Sequence, residues 1–184
     1  MAIESYRDRL PHLGRDVYVH PAATVIGDVE LGDEVSVWPG VVIRGDVNFI
    51  RIGARSNIQD GCILHVSRPS ARNPDGAPLL VGRDVSVAHA VVLHGCTIGD
   101  ECLIGMGSLV MDRAVLEPRV LLGAGSLVPE GGVLQSGWLY FGRPARAVRL
   151  LDAGELEHFG VLAENYVRLA GEYRACSAAA TSPG

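Results

Sequence analysis

Six histidines occur in the 184 residues. Two of them, His89 and His94, lie five apart in the aliphatic stretch VSVAHAVVLHGC, residues 85–96. A third, His65, closes the similar stretch CILH. Neutral imidazole is the commonest metal ligand and a ready proton carrier, so histidines set among aliphatic residues point to one of those two chemistries. Zinc pairs on a helix sit at i and i+4, on one face. A strand sends odd separations to opposite faces. Neither regular element brings His89 and His94 together, so a different element must position them.

That element is a six-residue repeat. Every sixth residue from Val19 is apolar: Val19, Val25, Leu31, Val37, Ile43 and Phe49. The register slips and resumes at Ile52, Ile58 and Leu64, then at Val81, Val87 and Leu93. It slips by one more and runs through Ile98, Ile104, Val110, Leu116, Leu122 and Val128. Four residues after each aliphatic position a small or β-branched residue recurs, among them Val47, Cys62, Val91, Thr97 and Ser108. A period of six matches neither an α-helix nor a hairpin meander; it is the signature of a parallel β-helix with three short sides per coil of about 18 residues.

Counting sides places the histidines. With Ile43 opening side A, Ile52 opens side B, Ile58 side C, and Leu64 returns to A. The segment SRPSARNPDGAP, residues 67–78, is thrown out within a loop at 67–80, after which Val81, Val87 and Leu93 open sides B, C and A. His65 and His94 then occupy the same place on side A, one coil apart, and stack at about 4.8 Å. Two imidazoles at that spacing can tilt onto one ion with metal–nitrogen bonds of about 2.0–2.1 Å. Arg44 falls in their column. His89 leaves from side C, above Asp60 and beside Gln59. In a threefold assembly, side C of one chain can meet side A of the next, and the site is then shared. His12, His20 and His158 have no such partners and read as ordinary.

The rest of the chain bounds the reading. Hydrophobic residues make up 48% and aromatics 5%, so the core is aliphatic. A net charge of −5 without a basic cluster argues against nucleic acid. No run reaches the roughly 20 apolar residues of a membrane span, and the polar start MAIESYRDRLPHLG lacks a signal-peptide core; a cytoplasmic protein is expected. None of Cys62, Cys96, Cys102 and Cys176 forms a C-x-x-C pair, so small buried thiols are expected. The β-helix domain covers residues 1–138, with residues 139–176 forming an extended exit segment and a C-terminal α-helix that packs on the prism. That helix runs from about Asp152 to Ala175, starts with an Asp152/Glu155 cap, and carries an apolar stripe of Leu156, Phe159, Leu162, Tyr166, Leu169 and Tyr173. Residues 177–184 read as a disordered tail.

The motifs R-G-D, then N-x-Q-D-G…H, then H-x-x-x-x-H-G-C, in that order, resemble the gamma-class carbonic anhydrase family. The likeness extends through FGRPARAVR and AENYVRLAGEY to nearly the whole chain. It implies a mainly β fold, a left-handed parallel β-helix of hexapeptide repeats with a C-terminal α-helix, assembled as a homotrimer. It implies that His65, His89 and His94 bind Zn²⁺, Fe²⁺ or Co²⁺, with His89 donated by a neighbouring subunit. The activity implied is that of a lyase, in which metal-bound hydroxide attacks CO₂ to give bicarbonate. Gln59 then orients the hydroxide or a substrate oxygen, Arg44 and Asp60 pair across the interface, Asp46 fixes the Arg44 turn, and Tyr166 lies over the metal. The family's founding active member shuttles protons through glutamates. Here Val47 follows R-G-D, and the Ser67–Pro78 loop carries only Asp75, so slow, buffer-dependent turnover is expected.

Two other function classes share the repeat. A hexapeptide acyltransferase or acyl-CoA thioesterase uses one general-base histidine and binds its cofactor between coils. A metal-stabilised trimeric scaffold holds the ion without turnover. Bound metal separates the first from the carbonic anhydrase reading, and CO₂ hydration at full metal occupancy separates the second.

Overall fold

The computed structural model describes residues 2–71 and 73–180. Within them the chain winds into a three-sided parallel β-solenoid, closed by one helix, Ala153–Ala180. Side C stacks Tyr18–Val19, Ser36–Val37, Asn57–Ile58, Ser86–Val87, Leu103–Ile104, Leu121–Leu122 and Trp138–Gly142, each parallel to the last. Side A stacks Ile63–His65, Val92–His94, Leu109–Val110 and Leu127–Val128; side B stacks Leu79–Val81, Thr97–Ile98, Val115–Leu116 and Val133–Leu134. Two long strands, Thr24–Leu31 and Val42–Ile52, run across sides A and B without a break and join them into one sheet.

The apolar position of every hexad except the one at Phe49 points inward, and Ile43, Ile58, Leu64, Leu93, Ile104, Leu116 and Leu122 are fully buried. Each such side chain contributes about 1.5–3 kcal/mol of burial. The corner between sides C and A takes a left-handed residue in five successive coils. Gly40, Gly61, Gly107 and Gly125 supply it, and Ala90 takes the same conformation at φ 57° despite its Cβ. This corner separates His89 from His94 and sends them to different sides.

One expectation is corrected and two details are added. Phe49 is partly exposed, because the unbroken Val42–Ile52 strand puts Ile50 and Ile52 in the core instead. Val47 and Thr97 are likewise partly exposed, with Cys96 buried in place of Thr97. The exit segment is not a simple extension: Trp138–Gly142 adds one more parallel layer to side C, and Ala145–Leu150 folds back antiparallel on it.

The helix begins as expected. Glu155 N–H donates to Asp152 Oδ1 at 2.9 Å, and Asp152 N–H donates back to Glu155 Oε2 at 3.0 Å, a reciprocal capping box. Arg149 clamps the same carboxylate at 2.7 and 2.8 Å. The helix lies on side C through Phe159, Ala163 and Ala170, all buried, while Leu169 of the expected stripe is exposed. Alanine lets the backbone approach closely, and the rings of Tyr166 and Tyr173 then reach Trp38 at 5.6 and 5.2 Å. Residues 177–180, assigned to the tail by sequence, continue the helix; the tail's last four residues lie outside the described residues. Among the described residues no helix is long and apolar enough to cross a membrane.

Candidate metal centre

His65 and His94 end neighbouring strands of side A and face each other directly in register. Their rings tilt at 59° with centroids 5.1 Å apart. His65 Nδ1 lies 3.0 Å from His94 Nε2. Two nitrogens on one tetrahedral ion at about 2.0–2.1 Å lie about 3.3 Å apart, so the pair is close to a chelating bite. The far nitrogen of each ring meets a carboxylate. His65 Nε2 is 3.1 Å from Asp46 Oδ1, and His94 Nδ1 is 2.5 Å from Asp112 Oδ1.

Burial pushes the His65 pKa down; Asp46 opposes this, and the Arg44 and His94 charges add to the fall. The ring is thereby kept neutral, the form that ligates. Burial works to raise the Asp46 pKa, but hydrogen bonds from Arg44 and His65 outweigh it and hold the group below its ordinary value. Arg44 Nη1 reaches Asp46 Oδ2 at 2.5 Å, as expected for the R-G-D turn.

His89 stands on the other side of the corner. Its Nδ1 is 3.0 Å from Asp60 Oδ2, the residue one coil below it, and both side chains are half exposed. Gln59, next to Asp60, is buried, and its Nε2 donates to Asn57 Oδ1 at 2.9 Å, while Asn57 Nδ2 donates to Ser86 Oγ at 2.8 Å. Tyr166 reaches this side from the helix. Burial raises its pKa, and the Asp60 charge adds to the rise, so the phenol stays protonated. Within one chain Arg44 pairs with Asp46 and Asp60 with His89.

Imidazoles backed by carboxylates suit a divalent ion such as zinc, the carboxylates fixing tautomer and ring orientation. One chain brings together two of the three histidines, and the third lies on another side; among the described residues no three ligating groups converge. A cavity of about 360 Å³ opens beside His94, lined also by Val92, Leu109, Met111, Asp112 and Glu130. Asp112 and Glu130 were missed in the sequence, and Glu130 corrects the expectation of a site without glutamate. The available signal was the register: with Leu93 facing Val110 and Val110 facing Val128, Asp112 and Glu130 follow in the column of Gly95, the residue after His94. Glu130 pairs with Arg113.

The remaining candidates are quiet. His20 Nδ1 accepts a bond from the Ala22 N–H at 3.0 Å and so serves its own turn. Cys62, Cys96 and Cys102 are buried. Burial pushes the Cys62 thiol up to about 11 and Cys102 up to about 12, far from the thiolate form that reacts.

Residues 11–45 match the family described as "Bacterial transferase hexapeptide (six repeats)". The chain is 51% identical over 171 residues to Protein YrdA of Escherichia coli, covering 93% of each. It is 38% identical to a protein named carbonic anhydrase from Geobacillus kaustophilus, over 98% of this chain and 95% of that one. It is 40% identical to gamma carbonic anhydrase 2, mitochondrial, of Arabidopsis thaliana, over 89% of this chain and 58% of that protein. A solved structure of a putative acetyltransferase from Bacillus cereus superposes with a TM-score of 0.89 at 37% identity, over 95% of this chain and 98% of that one.

Proposed function

The chain belongs to the gamma-class carbonic anhydrase family of hexapeptide-repeat proteins, and from that premise we propose that it interconverts CO₂ and bicarbonate at a divalent-metal site shared between chains. The observation that carries this is the paired His65 and His94, 3.0 Å apart, each with its other ring nitrogen on a carboxylate. His65 and His94 of one chain hold the ion, and His89 of a neighbouring chain completes the set in a homotrimer.

When bound, the ion supplies the Lewis acidity that makes water nucleophilic toward CO₂ near neutral pH. Asp46 and Asp112 accept the ring N–H groups and so keep each ligating lone pair turned inward. Val92, Leu109 and Met111 form an apolar wall suited to an uncharged substrate. Gln59, steadied by Asn57, offers its amide to a substrate oxygen. Glu130 faces the same cavity as a proton acceptor on the way to solvent. Ile63, 48% exposed on the outer face of side A, offers apolar surface for the neighbouring chain.

The likeness to the putative acetyltransferase of Bacillus cereus favours acyl transfer as a second reading. That chemistry needs a histidine with a ring nitrogen available as base; both nitrogens of His65 and of His94 are engaged, which leaves His89, held by Asp60 through Nδ1, as the base of that reading. The test is metal analysis of anaerobically purified protein, followed by CO₂-hydration assays with zinc, cobalt and iron. One ion per chain and hydration abolished by His65→Ala is the expected result. Metal-free protein that turns over an acyl-CoA would overturn the proposal. Full occupancy with no hydration in any metal form would leave a scaffold.

A further inference from the structure

We propose that Ser67 and Asp112 form a positioning relay that ties the root of the excursion loop to His94, so that closure of the loop root raises the affinity for the ion. The inference rests on the metal reading of His65 and His94 and is independent of the reaction catalysed.

Both oxygens of Asp112 are used. Oδ1 meets His94 Nδ1 at 2.5 Å, and Oδ2 accepts the Ser67 hydroxyl at 2.5 Å. The first contact holds the ring proton on Nδ1 and leaves Nε2 facing His65. The second stops the carboxylate from swinging away, since its side chain is only partly buried. Asp112 and Ser67 thereby connect His94 to the loop, which bulges out between His65 and Leu79.

Ser67 is also the residue at which the loop closes. Its N–H donates to the Ala77 carbonyl at 3.0 Å, and the Ala77 N–H donates back at 3.0 Å. Asn48, on the strand that crosses sides A and B, ties both ends together: its Nδ2 donates to the carbonyls of Ser67 at 3.1 Å and Asp75 at 2.9 Å. The packing leaves no slack. A Cβ on Gly76 would come within 2.3 Å of the Ser67 carbonyl, and one on Gly95, the residue after His94, within 2.6 Å of both Asp112 Oδ1 and the Ala77 Cβ. The loop root, the carboxylate and the histidine backbone thus share one tightly filled corner. Opening the Ser67–Ala77 pair withdraws the hydroxyl from Asp112 and frees His94 to rotate. By reciprocity, an ion that needs His94 in place must hold the loop root closed.

The test is zinc affinity, measured against a competing chelator, for the wild type, Asp112→Asn, Ser67→Ala, Ser67→Thr and the Ser67→Ala/Asp112→Asn double variant. Melting of the metal-free proteins verifies folding. Asp112→Asn is expected to weaken zinc about 10- to 100-fold and Ser67→Ala by a smaller factor of about 5 or more. Ser67→Thr, which keeps the hydroxyl, should bind as wild type, and the double variant no more weakly than Asp112→Asn alone. Zinc should also slow amide hydrogen exchange at Ser67 and Ala77 in the wild type, an effect a merely structural aspartate does not produce, and Asp112→Asn should abolish it. Wild-type affinity in Asp112→Asn, an equal loss from Ser67→Ala in both backgrounds, or exchange at the loop root that ignores zinc would each overturn the relay. A wild type that takes up no divalent ion refutes the metal reading itself, on a measurement separate from the comparison of variants.

Discussion

A site built from side A of one chain and side C of the next makes a countable prediction. His65 and His94 share a register pair on side A, whereas His89 lies across the corner at Ala90, paired with Asp60. Take two variants, His65→Ala and His89→Ala, each with a different affinity tag. Alone, each forms trimers in which every site lacks one ligand. Express them together and purify through both tags, so that only mixed trimers remain. In a cyclic trimer each site joins side A of one chain to side C of the next. Going round the ring, a whole site arises wherever a His89→Ala chain, which keeps His65 and His94, precedes a His65→Ala chain, which keeps His89. Both mixed compositions contain that step once. Metal content should therefore recover to about one third of the wild-type value, read by elemental analysis without knowing the substrate. The double variant His65→Ala/His89→Ala, mixed with His65→Ala, restores no site and controls for non-specific uptake. No recovery in verified mixed trimers would show that one chain supplies all three ligands. Full metal in the His89→Ala trimer alone would show that His89 is not a ligand.

Further outcomes follow from packing and charge. Leu93→Ala, fully buried beneath His94, should cost about 2–5 kcal/mol in denaturant unfolding; a loss under about 1 kcal/mol would mean that the coil collapses onto the gap. Ala163→Leu should push the helix off side C, costing about 1–3 kcal/mol and shifting the fluorescence of Trp38, which otherwise stays unchanged if the helix does not pack there. Glu155 is held down to about 2, chiefly by its hydrogen bonds with Arg149 and then by the Asp152 amide. Its folded pKa is depressed, so its contribution is present above the unfolded value of about 4.3 and is lost as pH falls toward 2; the helix should loosen over that window, and Glu155→Gln should remove the pH dependence. CO₂ hydration should rise with the concentration of an imidazole-type buffer, and Glu130→Gln should steepen the rise. A rate insensitive to buffer in both proteins would show that protons leave by another route.

The six-residue period by itself determined the columns. A repeat that alternates inward aliphatics with corners lets stacked neighbours be counted, which is why His65 over His94, His89 over Asp60 and the Arg44 column were legible. The Asp152/Glu155 cap was equally readable, because it is decided within four residues. What escaped the count depended on interruptions and on rotamers. The unbroken strand from Val42 to Ile52 turned Phe49 outward, since a local pattern does not say where a corner is skipped. The helix buried Ala163 and Ala170 beside Phe159 of the expected stripe and left Leu169 exposed, because how closely a helix approaches a sheet is set by both surfaces together. Asp112 and Glu130 stood in the column next to the histidine's, that of Gly95, but only the folded structure turned their carboxylates toward the histidine's cavity. Ser67 met Asp112 only because the loop returns to its own root, a long-range closure that no local spacing encodes. Periodicity decides which residues are neighbours; tertiary packing decides which of their atoms meet.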